Sequence, residues 1–119
     1  MARFSENGRD KDMPPSSAVL CQTWVYAQEE SSRELMVFYS ESYPLPPSRG
    51  RARMRFDRAG TFTRWIIAPA CGFDEILGTW EWRQGVIYIS EAQGERELVV
   101  DALTDQRLCL QAAPGLLYR

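Results

Sequence analysis

The chain has 119 residues, of which 45% are hydrophobic, and this is enough for one domain with a single core. Its formal charge of −2 gives no overall attraction to nucleic acid or to an anionic membrane. Histidine is absent, so the commonest general base and the commonest metal ligand are both missing. We therefore predict no enzymatic activity, no metal, no cofactor, and neither nucleic acid nor a membrane as a partner.

Residues 1–17 mix charged residues, Gly, Asn and Ser with the pair Pro14-Pro15. Such a composition cannot bury enough surface to offset the entropy of ordering the chain. We expect a flexible lead over 1–17, followed by one domain over 18–119. The start of the chain has no apolar signal core, and no later apolar run approaches the roughly 18 residues of a membrane span, so we expect a soluble, cytoplasmic protein.

The cysteines are odd in number and widely spaced. This pattern fits neither a disulfide framework nor a metal site, which need paired or closely spaced cysteines. We expect buried, reduced thiols at all of them: Cys21, Cys71 and Cys109.

Short segments rich in β-branched and aromatic residues follow the lead, and the first two are residues 18–28 and 34–40. Residues 40–50 come next and contain three prolines, so they cannot form a central strand. We predict two strands and then the longest internal loop, which is a candidate lid or partner surface.

Residues 51–56 alternate arginines with Ala, Met and Phe, which is typical of a strand with one wet face and one dry face. Further strands are predicted at 61–68, 76–83, 86–90, 97–103 and 107–111. No segment has the 3.6-residue apolar period of a long helix, although a short helical piece is possible in the lead or at 70–75. Closing the sheet would remove exposed edges, so these eight strands predict an all-β, eight-stranded antiparallel up-and-down meander barrel.

Four short motifs occur in order along the strands: RFDRAGTF at 55–62, GTWEW at 78–82, VIYIS at 86–90 and LVVDALTDQRLCL at 98–110. In that order they resemble the small bacterial lipocalin-like domains of the calycin group. Within the motifs, Gly60 and Gly78 have the character of turn and packing residues that set strand register. The G-x-W motif that lipocalins carry on their first strand here reads Gln22-Thr23-Trp24, and the literal motif lies at 78–80.

The count of eight strands and the concentration of Trp and Tyr on them favour a non-enzymatic, lipocalin-like barrel that binds a small hydrophobic or amphipathic ligand. Trp80 and Trp82 share one face of their strand, where they form either core or an aromatic wall. Arg64 is expected to point outward; an inward Arg64 would favour a carboxylate ligand. The candidate ligand-binding residues are the aromatic residues of the strands and this arginine: Trp24, Arg64, Trp65, Trp80, Trp82 and Tyr88.

An alternative function is a protein-interaction module that uses the Pro-rich loop at 42–50 and the arginine row at 49–58. We expect the row to be solvated and paired with carboxylates of a neighbouring strand rather than bound to nucleic acid. An enzyme on this chain would have to rely on Tyr88, Asp101 or a carboxylate in a cavity. The neighbouring Asp74 and Glu75 are expected to be structural.

Overall fold

The computed structural model describes residues 15–48, 50–68 and 72–117. One short helix, α1, spans Pro15–Leu20, and a single 3-10 turn spans Gln28–Glu30. The strands, in chain order, are β1 Thr23–Tyr26, β2 Leu35–Ser40, β3 Arg53–Phe56, β4 Thr61–Ile67, β5 Phe73–Arg83, β6 Val86–Glu91, β7 Gly94–Leu103 and β8 Arg107–Gln111.

All neighbouring strands pair antiparallel, and the sheet closes on itself as a barrel. The predicted closed eight-stranded barrel is therefore confirmed. Strands β3 to β8 follow one another as a meander. At the closing seam, β1 lies beside β3 and β2 lies beside β8, so the connection from β2 to β3 has to pass β1.

The first predicted strand, 18–28, was too long at its start, because residues 18–20 belong to α1. The helix lies against one end of the barrel, where Leu20 is fully buried. The indole Nε1 of Trp24 donates a hydrogen bond to the carbonyl oxygen of Leu20 at 3.0 Å. The predicted lead also ends in α1, whereas residues 1–14 lie outside the described part of the chain. The helix thus places Leu20 in the core at this end of the barrel.

The barrel interior is occupied by side chains that project from alternate positions of every strand. Trp24, Phe38, Phe56 and Phe62 are each no more than 1% exposed. They pack in one cluster with Met54 of β3 and with aliphatic residues of β6, β7 and β8: Ile87, Ile89, Leu98, Leu108 and Leu110. The end opposite α1 is covered by residues 112–117, whose Leu116 and Leu117 join the same cluster.

Two glycines have the roles expected of them. Gly60 has φ +95° in the turn between β3 and β4, a conformation that L side chains rarely adopt. Gly78 lies where β5 meets β6, and a Cβ atom added there would collide with the backbone carbonyl oxygen of Ser90. The pairing of β5 with β6 therefore depends on the missing side chain of Gly78.

We expect Gly78→Ala to destabilise the protein by about 1–3 kcal/mol, because the ladder between β5 and β6 must separate to admit the methyl group. The adjacent Thr79→Ala changes an exposed position of the same strand and should cost less than about 1 kcal/mol. Urea unfolding followed by circular dichroism measures both. Equal losses would show that the close approach at Gly78 is unimportant.

Candidate functional site

The residues predicted from the sequence to bind a ligand fall on both sides of the barrel wall. Trp24 is core, and Trp80 and Trp82 are partly buried and pack against the core from inside. Trp65 and Tyr88 project from the outer face. The structure therefore does not bring the six predicted residues together in one site.

The inside of the barrel is filled where the described residues line it. Twelve large side chains of the core, among them Trp24, Phe38 and Phe62, are less than 2% exposed, and the partly buried Trp80 and Trp82 pack against the core. Trp80 is fixed in place by a hydrogen bond from its indole Nε1 to the carbonyl oxygen of Asp57 at 2.8 Å. These residues act as core packing, which is one of the two roles that the sequence left open.

Arg64 was expected to point outward, and this prediction was wrong. It is 5% exposed and lies on the inward face of β4, between Phe62 and Ile66. Its guanidinium donates to both carboxylate oxygens of Glu91, at 2.7 Å and 2.9 Å. The strand period places Arg64 inside, and a buried carboxylate compensates its charge.

The buried ion pair also holds the C-terminal segment. Arg64 donates to the carbonyl oxygens of Leu116, at 2.7 Å, and Gly115, at 3.3 Å. Arg96 lies close by, and its burial, together with the charge of Arg64, lowers its pKa. These contacts anchor residues 112–117 over the barrel end.

We expect Glu91→Leu to destabilise the protein by about 3–5 kcal/mol, because it leaves the Arg64 guanidinium buried without an anion. Adding Arg64→Met should restore much of that loss, because the buried charge disappears with its partner. The surface pair of Arg83 and Glu81, 3.4 Å apart, supplies the control: Glu81→Leu should change stability by less than about 1 kcal/mol. Urea unfolding of the single and double variants measures the coupling, and a double variant no more stable than Glu91→Leu would contradict this role.

On the outer surface, the connection from β2 to β3 crosses β1 as a strap, which we define as residues 41–52. Tyr43 stacks on Tyr39 with ring centroids 4.2 Å apart. Tyr43 and Leu45 pack on a second apolar cluster that includes Val37 and Cys109. The predicted Pro-rich loop is therefore an ordered strap in its described part, held against the barrel wall.

Arg51 clamps the strap at its far end. Its guanidinium donates to both carboxylate oxygens of Glu29, at 2.8 Å and 2.7 Å, and to the carbonyl oxygen of Pro46 at 2.7 Å. It also donates to the carbonyl oxygen of Tyr26 at 3.1 Å. The hydrogen bonds from Arg51 lower the pKa of Glu29 to about 2. One side chain thus joins the strap, β1 and the 3-10 turn.

We expect Arg51→Met to raise the pKa of Glu29 from about 2 toward its ordinary value of 4.5, because the hydrogen bonds that stabilise the carboxylate are lost. Because the pKa is lowered in the folded state, the pair stabilises the protein above pH 4.5 and ceases to do so as the pH falls toward 2. A carboxyl-carbon NMR titration measures the shift. An unchanged pKa for Glu29 would show that Arg51 does not control it.

The strap and the outer faces of β1, β3 and β4 enclose a groove of about 890 Å³. Its floor carries Arg53, Arg55 and Trp65, and Phe73 lies at one end with 48% of its surface exposed. Other lining residues come from the strap and include Tyr43, Leu45, Pro46, Pro47 and Arg51. The groove thus combines arginine side chains with aromatic and proline surfaces.

The arginines of the groove differ in how their charge is compensated. Arg53 pairs with the strap residue Glu41 at 2.8 Å, and both side chains are about half exposed, at 49% and 57%. Arg55 is exposed and donates to the hydroxyl of Thr23 at 3.3 Å, and it has no carboxylate partner among the described residues. The predicted pairing of the row with carboxylates therefore holds for Arg53 and not for Arg55.

The structure brings the predicted Pro-rich loop and arginine row together at this groove. Arg49 lies outside the described residues, and Arg58 is exposed in the turn after β3, away from the groove lining. The period of two along β4 puts Trp65 on the opposite face from Arg64, but no local pattern connects Trp65 with the loop or with Phe73. Only the path of the strap across β1 shows that Trp65 lies in a groove.

A second depression of about 620 Å³ lies on the outer face of β5, β6 and β7. Tyr88 lines it, and the guanidinium carbon of Arg83 lies 4.1 Å from the centroid of the Tyr88 ring.

The other candidate residues do not form a site. Asp101 is exposed on β7, whereas Asp74 and Glu75 project to opposite faces of β5. Adjacent carboxylates in this arrangement do not face each other as an acid and base would. Cys71 lies outside the described residues.

No protein-family model, curated protein or solved structure gives a match to this chain. Within the described residues, no helix has the length and apolar character needed to cross a membrane. The same part of the chain contains no cluster of three or more Cys, Asp or Glu side chains placed to hold a metal ion.

Proposed function

We propose that this barrel is a non-enzymatic protein-interaction domain whose outer groove binds an acidic, partly apolar segment of another protein. The observation that carries the proposal is the groove itself, which has a volume of about 890 Å³. The ordered strap forms one side of it, and the other side is formed by Arg53, Arg55, Trp65 and Phe73. Aromatic residues and arginines are the side chains most enriched at protein interfaces, and here both line one concavity.

Charge supports an acidic partner. The lining contains three arginines and one glutamate, and Arg55 has only a hydroxyl as its hydrogen-bond partner among the described residues. A planar guanidinium that is exposed beside apolar groups can take a carboxylate with two parallel hydrogen bonds. The preference arises from this local surface, because the chain as a whole carries a net charge of −2.

Rigidity supports binding without a large ordering cost. The strap is held at one end by the ring stack of Tyr39 and Tyr43 and at the other by the hydrogen bonds of Arg51. Pro46 and Pro47 restrict the backbone between these anchors. A preformed groove loses little conformational entropy when a partner binds.

A second candidate is an amphipathic carboxylate of small size, bound in the same groove. The volume lies within the roughly 300–1,000 Å³ that small-molecule sites occupy. This candidate belongs with the resemblance to small bacterial lipocalin-like domains, which the closed barrel supports and which we retain, with a cytoplasmic location, as part of the proposal. The ligand would then lie outside the barrel rather than within it.

The test uses three probes: the capped peptide acetyl-Glu-Phe-Glu-Pro-Phe-Glu-amide, its counterpart with lysine in place of each glutamate, and decanoate. We expect the acidic peptide to shift the NMR amide signals of Arg53, Arg55 and Trp65, and Arg55→Glu to weaken its binding about tenfold or more by charge repulsion. Arg58→Glu makes the same charge change outside the groove lining and should leave the affinity within about twofold.

Binding of the lysine peptide with equal affinity, or an equal loss in Arg55→Glu and Arg58→Glu, would contradict a specific acidic site. Binding of decanoate alone, weakened by Arg55→Glu, would favour the small-molecule candidate. Circular dichroism of each variant establishes that the barrel remains folded.

A further inference from the structure

Among the described residues, one stretch of β5 has a strand neighbour on only one side. β5 spans Phe73–Arg83 and pairs with β4 from residue 73 to residue 79, but it pairs with β6 only from residue 78 to residue 83. The hairpin of β4 and β5 therefore extends beyond the hairpin of β6 and β7. We call residues 73–77 of β5 the open edge.

The pattern of the ladder shows which backbone groups are unpaired there. The amide of Trp80 donates to the carbonyl oxygen of Gly60 at 2.9 Å, so even-numbered residues of β5 direct their N–H and C=O groups toward β4. The odd-numbered residues direct theirs to the other side, in agreement with the two-residue turn that joins Arg83 to Val86. Phe73, Glu75 and Leu77 thus present three donors and three acceptors, with no backbone partner among the described residues.

The side chains of the same three residues are exposed on the outer face of the barrel. Leu77 is 59% exposed and Phe73 is 48% exposed, with the exposed Glu75 between them. The neighbouring strand adds Ile67, which is 37% exposed. An open strand edge with apolar side chains is a template for pairing with another strand unless a feature of the protein protects it.

A second strand end, on β7, provides a contrast. β7 pairs with β6 from residue 94 but with β8 only from residue 100, so its first residues extend beyond the end of β8. Its outward side chains in that stretch include Glu95 and Glu97, both exposed. Successive like charges discourage strand addition, whereas the open edge of β5 carries one charge between two apolar groups.

We propose that the open edge binds an extended peptide segment of another protein, which adds to the sheet as a strand beside β5. The segment would place a Lys or Arg opposite Glu75 and apolar side chains two residues to either side, near Phe73 and Leu77. Backbone hydrogen bonds provide affinity in this mode of recognition, and alternate side chains provide specificity. The carboxylate of Glu75 selects the central basic residue.

Glu75 also disfavours a second copy of this chain as the occupant. Two open edges paired antiparallel about their centres would bring the two Glu75 carboxylates directly opposite each other, which is destabilising. The open edge shares Phe73 with the end of the outer groove, but the two surfaces prefer different partners: the groove an acidic one and the open edge a basic one.

Hydrogen exchange measured by NMR tests the open edge in the free protein and with a probe peptide. In the free protein we expect the amides of Phe73, Glu75 and Leu77 to exchange rapidly, and the alternate amides of Asp74 and Ile76 to be protected by β4. The probe is acetyl-Thr-Val-Thr-Lys-Thr-Val-Thr-amide, whose Val, Lys and Val side chains lie on one face of an extended strand. It should slow exchange of the three exposed amides by about tenfold or more.

Variants of Glu75 separate the side-chain contribution from the backbone contribution. The wild-type protein should bind the lysine probe about threefold more tightly than a probe with Glu at the central position, and Glu75→Lys should reverse that preference. Glu75→Pro removes the backbone N–H of the open edge at this position but no hydrogen bond to β4. It should lower the affinity for both probes about tenfold. If Glu75→Pro fails to fold, the reversal in Glu75→Lys remains a sufficient test.

Glu81→Lys is the matched control, since it makes the same change on the same strand where β6 already pairs with β5, and it should alter neither affinity. Protection of the odd-numbered amides in the free protein at every concentration would overturn the proposal. So would protection that appears only as protein concentration rises, because the occupant would then be a second copy. No slowing at millimolar probe would also overturn it, whatever the groove variants show.

Discussion

Closure of the sheet around a filled interior is the constraint on which the other features depend. In a closed barrel, every second side chain of each strand must enter one shared volume, and eight strands enclose just enough space for side chains to fill it. Trp24, Phe38, Phe56 and Phe62 occupy it here, together with Met54 and aliphatic residues of β6, β7 and β8. The proposed groove and the open edge both lie on the outer surface, where strand ends and connections differ from one another.

The seam at which the barrel closes creates the candidate site. Because β1 lies beside β3 and β2 beside β8, the chain must cross the outside of β1 to reach β3. The strap is held against the barrel by the stack of Tyr39 on Tyr43 and by the hydrogen bonds of Arg51. A strap held at both ends over a curved wall leaves a groove beneath it, and Arg55 and Trp65 lie in that groove because the strand period turns them outward.

The same end of the molecule contains one buried feature whose polar groups are paired and one exposed feature whose backbone groups lack a strand partner within the described part of the chain. Inside, Arg64 and Glu91 form a buried ion pair that also binds the carbonyl groups of residues 115 and 116 and so fixes the C-terminal segment over the barrel. Outside, β5 continues past the end of β6 and leaves one side of its backbone unpaired among the described residues. A buried charge needs an opposite charge or hydrogen bonds within the chain, because water cannot reach it. The backbone groups of an exposed strand edge can instead form hydrogen bonds with water or with another strand.

The sequence by itself determined the strands, most of their boundaries and the residues that share a face, because a period of two and the turn residues are local properties. It therefore predicted the barrel, the role of Gly60 and the opposite directions of Arg64 and Trp65. Only the tertiary structure decided which face of β4 was inside, which carboxylate lay beside Arg64, and that residues 18–20 close the barrel end as a helix. These depend on contacts between segments far apart in the chain, such as that of Arg64 with Glu91, 27 positions later, and no local pattern records them.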